Sequence, residues 1–399
     1  MYKVQKNKLK IQGEQLRLIK LLSISCTKLY NVGAYSVKSH FEKTSEYLPY
    51  AKNYHACKTN EHYKLLLTDI GQQILRFVER SYKSYFSLLK LKNSGKFSDK
   101  ISPPKFKKTD SYSAITVQGR SSKIKDGYVI LNFSKEFKNK YNPKIKQLKF
   151  KMPQNIKVEK LQELRIVPKF SGKEWEIHFV YIDNTVVNKV SGNNSLGIDL
   201  GVDNFAACFN GCSGDSFILN GKKIKSINQL YNKRKARLKT NSRKFINNSN
   251  KRENCINDIF NNYVNHIIKY CRDNKITKIV IGELNKSSIN IGKVNNQKFY
   301  CIPHGKFISK LKNKCSVNGI EVYLQEESYT SKCSFFDNEK IAKHDIYMGK
   351  RIHRGLFKTK NGLLVNADVN GAANILTKSK CRPYRRACSG FVANPVRFF

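Results

Sequence analysis

The stretch Leu196-Gly-Ile-Asp-Leu-Gly-Val-Asp-Asn-Phe-Ala-Ala-Cys-Phe209 constrains the fold most, because it is an apolar strand with an aspartate, Asp199, in its middle. A carboxylate in a buried strand is costly unless something positive neutralises it. Gly197 and Gly201 flank it and leave room for a ligand to approach the backbone. The plain alternative is an ordinary strand with one satisfied aspartate. A second lone acid, Asp368, lies far along the chain in Asn366-Ala-Asp-Val-Asn-Gly-Ala-Ala-Asn-Ile-Leu376, where it opens a last helix over Val369 to about Lys378. Together the two acids point to a divalent metal that also holds nucleic-acid phosphate.

Charge supports the phosphate. Lys plus Arg number 75 against 29 Asp plus Glu, a net +46 over 399 residues. Such an imbalance repels itself unless a polyanion is present. With 21 Tyr and 23 Phe, the surface can add base stacking to phosphate contacts. No apolar run approaches the roughly 20 residues that span a bilayer, so no membrane partner is expected. No apolar segment of the signal-peptide kind follows Met1-Tyr-Lys-Val-Gln-Lys. The 11 cysteines are odd in number, scattered and without a Cys-x-x-Cys pair, which predicts core thiols and a reducing, cytoplasmic compartment.

Period divides the chain. Tyr2 to Ile11 alternates like an edge strand, and about Glu14 to Lys92 is helical, most clearly from Glu61 to Lys90. After Asn93-Ser-Gly and Ser102-Pro-Pro-Lys the period becomes two. Ala114–Val117, Gly127–Phe133, Ile145–Phe150, Leu164–Val167 and Trp175–Tyr181 read as strands of a small antiparallel barrel. An α/β region starts with the strand of Asp199. Within it, Lys222 to Arg252 is strongly basic without an acid, a helical hairpin or a disordered arm. Ile256 to Cys271 and Phe307 to Val317 are helical, while Ile276–Gly282 and Ile320–Leu324 are strands, so parallel pairing through crossovers is expected.

A two-metal phosphodiester nuclease needs three or four converging carboxylates, and parallel α/β sheets gather them at the carboxyl ends of neighbouring strands. Asp199 and Asp368 supply two. Glu283 follows one strand and Glu326 and Glu327 follow the next, so spacing alone leaves the third open.

Here the residues resemble a known family. Ile279-Val-Ile-Gly-Glu-Leu-Asn285, Asn296-Gln-Lys-Phe-Tyr-Cys-Ile-Pro-His304, Gln325-Glu-Glu-Ser-Tyr-Thr-Ser-Lys332, Gly349-Lys-Arg-Ile-His-Arg-Gly355 and Asn366–Ile375 are similar to TnpB, the RNA-guided endonuclease encoded by insertion sequences. The resemblance is strongest from Ser191 to Lys378. It implies an α+β multidomain chain: a RuvC, RNase H-like α/β nuclease domain preceded by a β-barrel with an inserted helical recognition domain. The corresponding boundaries are 1–12 and 103–190 for the wedge-like barrel, 13–102 for the helical domain, and 191–330 with 365–378 for the nuclease. An insert at 331–364 and a basic tail at 379–399 complete the chain.

The common TnpB pattern carries Glu-Asp-Leu after the strand, and alignment on Leu284 puts Gly282 where that glutamate belongs. A branch of the family supplies the glutamate later, just before the Thr-Ser motif, which here is Glu327. The implied catalytic and metal-binding set is therefore Asp199, Glu327 and Asp368, with Glu283 in reserve and Mg²⁺ or Mn²⁺ as the ion. The zinc-ribbon slot between Thr330 and Asp368 has only Cys333, with His344 and His353 as possible companions at irregular spacing, so no zinc is expected.

The resemblance implies guide RNA and double-stranded DNA as partners and metal-dependent cleavage of guide-matched DNA beside a short flanking motif. A nuclease-inactive RNA-guided repressor is the alternative, opposed by intact Asp199 and Asp368. A transposase accessory or strand-transfer role would need an end-binding module, and none is evident in the sequence.

Overall fold

Each change of period becomes a change of architecture. The computed structural model describes residues 2–184, 189–283, 292–353, 355–379, 381 and 394–399. Leu284, Asn285, Arg354 and most of the basic tail fall outside them. The chain divides into two compact units, Met1–Thr185 and Val186–Phe399.

In the first unit β1 (Tyr2–Leu9) leads into α1 (Gly13–Thr44), α2 (Tyr50–Cys57), α3 (Glu61–Lys64) and α4 (Thr68–Asn93). α1 buries Leu18, Leu22, Cys26, Leu29 and Gly33 along one stripe, as helical spacing requires. The helix expected from Glu61 to Lys90 is interrupted at Leu65-Leu66-Leu67. Leu65 and Leu66 are both buried, and the backbone turns extended at Leu67 (φ -63°, ψ 144°) before α4 begins.

The strands follow: β2 (Ile115–Gln118), β3 (Lys123–Lys125), β4 (Tyr128–Asn132), then α5 (Lys135–Tyr141), β5 (Gln147–Lys151), β6 (Leu161–Lys169) and β7 (Glu174–Ile182). Their described pairing forms two sheets, β1-β7-β6-β2 and β3-β4-β5, where the sequence predicted one small barrel. Asp126 and Gly127 both take positive φ (52° and 73°), closing a tight hairpin that commits β3 to β4.

The second unit is built on a six-stranded sheet. β8 (Asn194–Leu200), β9 (Asn204–Asn210) and β10 (Ser216–Asn220) form an antiparallel meander. α6 (Lys222–Lys235) and α7 (Arg243–Asp273) make the basic run a helical hairpin, with Ser242 capping α7 by accepting from Phe245 N at 3.2 Å. β11 (Ile276–Glu283) then pairs parallel with β8. After α8 (Lys293–Tyr300) and α9 (His304–Val317), β12 (Glu321–Glu326) pairs parallel with β11. β13 (Lys350–His353), β14 (Leu356–Lys358) and β15 (Leu364–Asn366) form a small separate sheet, followed by α10 (Ala367–Lys378) and β16 (Val396–Phe398). The sheet order is β12-β11-β8-β9-β10-β16. Leu196, Ile198, Leu200, Ile279 and Ile281 pack with α7 and α9 on one face. On the other, Ala207, Phe209, Ile218 and Val280 pack with Val369, Ala372 and Leu376 of α10.

Candidate active site

That division of faces aims the acids. Successive side chains on a strand point to opposite sides. Leu196, Ile198 and Leu200 of β8 belong to the α7 side, so Gly197 and Asp199 belong to the α10 side. A Cβ on Gly197 would lie 2.3 Å from the Ala372 carbonyl oxygen, and one on Gly371 would lie 2.7 Å from Asp199 Oδ2. The two glycines thus let α10 lie directly on β8, over the half-buried Asp199. Burial raises the Asp199 carboxyl well above the usual range, the carboxylates of Glu327 and Asp368 raise it further, and Arg351 opposes them.

The same parity sorts the glutamates. Ile279 and Ile281 of β11 face α7, so position 282 faces the acids and Glu283 does not. Glu283 is exposed at the strand end, in register with Glu326 of β12. Glu326 is turned to Lys378 Nζ at 2.5 Å and to the backbone N–H of Ser328 at 2.6 Å, and these hold its carboxyl near 2. Glu327 takes the central place. A Cβ built on Gly282 would fall 1.9 Å from Glu327 Oε1 and 2.7 Å from its Cδ. The Glu327 carboxylate therefore occupies the space a side chain at 282 would enter.

Glu327 is held there by its backbone. The Thr330 backbone N–H and hydroxyl donate to its carbonyl at 3.1 and 2.8 Å. The Asn374 amide of α10 donates to the carbonyls of Thr330 (2.9 Å) and Cys333 (2.7 Å), and Asn370 donates to Cys333 at 2.9 Å. Asn366 caps α10 by accepting from the backbone N–H groups of Asp368 and Val369. Asn366, Asn370 and Asn374 recur every fourth residue, a signal in the sequence whose use only the fold reveals.

Asp368 sits in the first turn of α10. Its Oδ2 accepts from Asn204 Nδ2 at 2.6 Å, and its Oδ1 lies 3.4 Å from Arg351 Nη2. Asn204, Arg351 and Arg397 line a cleft of about 1180 Å³ with Asp368, Lys222, Lys225 and His353. Neither Asn204 nor Arg397 was singled out in the sequence. The cations and amides of the cleft come from four separate elements, β9, α6, β13 and β16, and have no common spacing.

The donor set suits a divalent cation. Glu327 Oε1 is buried and has no hydrogen-bond partner among the described residues. Burial first, then the charges of Glu326 and Glu283, push the Glu327 carboxyl up to about 7. A buried oxygen without a donor beside two further carboxylates is chemistry that a cation satisfies.

A second cluster differs. Cys333, Glu339 and His344 bring ligand atoms within 4.8 Å of one another. Glu339 stands where the sequence suggested His353, which instead lines the cleft. Both Glu339 oxygens already accept backbone N–H groups, from Ser334 at 2.6 Å and Met348 at 2.9 Å. Cys333 Sγ is directed at the carbonyls of Lys340 and Ala342, and His344 Nε2 at the Lys340 carbonyl. Asp337 adds bonds from the Ser334 hydroxyl (2.6 Å) and Lys360 N (2.8 Å). The loop is thus stapled by carboxylates, and this donor set does not fit a closed four-ligand zinc site.

Residues 178–288 match the family model of a probable transposase, OrfB_IS605, and residues 304–375 match the TNB domain of Cas12f1-like proteins. The TnpB-like protein ORF457 of Acidianus two-tailed virus is 24% identical over 417 residues, covering 92% of this chain and 84% of that protein. Among solved structures, a Cas12f1–sgRNA–target DNA complex determined by cryo-EM superposes with a TM-score of 0.61 at 16% identity, over 91% of this chain and 83% of that one. That likeness is one of fold. Both family matches fall on the segments that carry the acids and their supporting turn, and over most of its length the chain is similar to a TnpB-like protein.

Proposed function

We propose that this chain is an RNA-guided DNA endonuclease of a transposable element, hydrolysing phosphodiester bonds at a RuvC-like centre formed by Asp199, Glu327 and Asp368. The observation that carries the reading is the Glu327 carboxylate in the space left by Gly282, beside Asp199 and on the face of the sheet that α10 covers. These three residues would hold Mg²⁺ or Mn²⁺, which when bound supplies an activated water and stabilises the leaving oxygen. The chain's own residues do the rest. Arg351, Arg397, Lys222 and Lys225 line the cleft with positive charge for a DNA backbone. Asn204 and Arg351 hold the two oxygens of Asp368 apart. On this reading 191–330 with 365–378 is the nuclease domain, 1–12 with 103–190 the wedge-like domain, and 13–102 the recognition domain. Residues 331–364 form the insert and 379–399 the tail. The test is to sequence the RNA that copurifies and to assay a matching duplex with Mg²⁺. Binding without cleavage by wild-type protein would favour a nuclease-inactive repressor.

Guide binding should be dominated by phosphate contacts. Arg234, Arg237, Lys244 and Lys251 line a second cleft of about 460 Å³ where α6 gives way to α7. RNA affinity is expected to fall about 10³-fold or more between roughly 50 and 200 mM salt. Replacing these four cations with Gln should flatten the slope of log K against log salt by about 3 to 4. An unchanged slope in the quadruple variant would remove this surface from the interface.

The stapled loop carries its own prediction. Dialysis against a chelator should leave the thermal midpoint unchanged, whereas Asp337→Ala or Glu339→Ala should lower it by exposing unpaired N–H groups. One equivalent of zinc, removed together with a fall in the midpoint, is the contrary result.

A further inference from the structure

The three-residue strand β16 is remote in sequence from the acids, yet one of its side chains reaches them through a single amide. β16 pairs parallel with β10 at the sheet edge, Phe217 opposite Val396, Ile218 opposite Arg397 and Leu219 opposite Phe398. So short a strand needs anchors. The Phe398 ring lies 4.1 Å from the His266 ring and 5.9 Å from Phe217, and the Phe399 ring lies 5.4 Å from Tyr263. These contacts face α7. Alternation then turns Arg397 to the opposite side, which is the side of Asp199 and α10.

There Arg397 Nη1 donates to Asn204 Oδ1 at 2.7 Å, and Asn204 Nδ2 donates to Asp368 Oδ2 at 2.6 Å. A guanidinium can only donate and an ionised carboxylate can only accept. The amide between them therefore has one workable orientation, and Arg397 enforces it. Among the described residues no carboxylate pairs with Arg397, so it is not a neutralised surface cation. Asp368 is left with Oδ2 tied to Asn204 and Oδ1 turned toward Arg351 and the cleft.

We propose that β16 is an integral part of the nuclease centre and that Arg397 is a positioning residue for Asp368, acting through Asn204. The inference rests on the reading of Asp199, Glu327 and Asp368 as a metal-binding centre. Arg397 orients Asn204, Asn204 orients the carboxylate, and the carboxylate is ready to ligate without rearrangement. A partner one step behind a ligand sets metal affinity to about 10- to 100-fold.

The experiment compares full-length wild type, Arg397→Ala, Arg397→Lys, Asn204→Ala and the double variant Arg397→Ala/Asn204→Ala. Mn²⁺ binding to the purified chain is followed by electron paramagnetic resonance. Cleavage of a duplex matching the copurified RNA is followed across Mg²⁺ concentrations. Arg397→Ala should weaken Mn²⁺ binding about tenfold and raise the Mg²⁺ needed for half-maximal cleavage by a similar factor. Arg397→Lys, which can still donate to Asn204, should recover part of the loss. The double variant should be no worse than Asn204→Ala alone, because the effect passes through one amide. Wild-type Mn²⁺ affinity in Arg397→Ala, or losses that multiply in the double variant, overturns the proposal. Should Arg397→Ala fail to fold, the lysine variant and Asn204→Ala carry the comparison. If Mn²⁺ binding depends on Arg397 but wild type cuts no matching duplex, the nuclease reading falls and the positioning role stands.

Discussion

Asp199→Asn is expected to abolish cleavage of guide-matched DNA while the copurifying RNA is retained. Asparagine keeps the size and shape that α10 packs against at Gly371, so the change removes charge and little else. Losing a supporting partner of a metal ligand costs up to about 100-fold, and losing the ligand at the centre of the cluster should cost more. The same substitution should stabilise the metal-free protein, and the sign follows from proton binding. A carboxyl raised in the folded state keeps its proton where the unfolded chain has lost it, so its stabilising contribution is present at low pH and lost as pH rises. For Glu327 the window runs from the ordinary 4.5 to about 7. For Asp199 burial and two neighbouring carboxylates raise it in the same direction. Without metal, wild-type stability should therefore decline as pH climbs through this range. Glu327→Gln should remove part of the decline, on the order of 1–2 kcal/mol after allowance for its partial exposure. Thermal melts between pH 4.5 and 8 with chelator present, run beside cleavage assays, check both halves. A variant that cuts at near wild-type rate with Mg²⁺ would remove Asp199 from the metal site.

What was legible in the sequence is what is local. The lone acid in an apolar strand and the run Asn366-Ala-Asp announce themselves because neighbours in the chain are neighbours in space. Which glutamate completes the set was left open by spacing, and the alternation of β11 turns Glu283 away from position 282, exposed at the strand end. The break at Leu65–Leu67 was not legible, because helical spacing continues through it and the interruption lies in the extended backbone of Leu67. The strands of the first unit are legible, but their partition into two sheets is a matter of long-range pairing that local alternation does not encode. The polar shell of the site was the least visible. Asn204 meets Asp368 across 164 positions and Arg397 meets Asn204 across 193, and nothing local to either residue encodes those meetings.

Gly282→Ala should disable the nuclease although it removes no acid. The added methyl would stand 1.9 Å from Glu327 Oε1, a distance no pair of unbonded heavy atoms tolerates, so one of the two must move. The strand is paired on both sides, with β8 and with β12, and cannot retreat. The Glu327 side chain is the softer partner and will swing out of the site. The methyl costs little stability, since the clash is with the end of a flexible side chain. Glu327→Ala should lose cleavage to a similar degree, whereas Glu283→Ala, losing an exposed carboxylate, should keep most of it. The decisive variant combines Gly282→Glu with Glu327→Ala. It returns the carboxylate to the strand position in which the common family pattern carries it, and empties the space it needs. Partial recovery of Mg²⁺-dependent cleavage relative to Glu327→Ala is expected, since a carboxylate entering from β11 faces the same side of the sheet as Asp199. Four parallel assays on one matched duplex, each with Mn²⁺ binding as a second readout, decide it. Inactive Glu283→Ala beside fully active Glu327→Ala would return the third acid to the strand end and leave the Gly282 space without catalytic meaning.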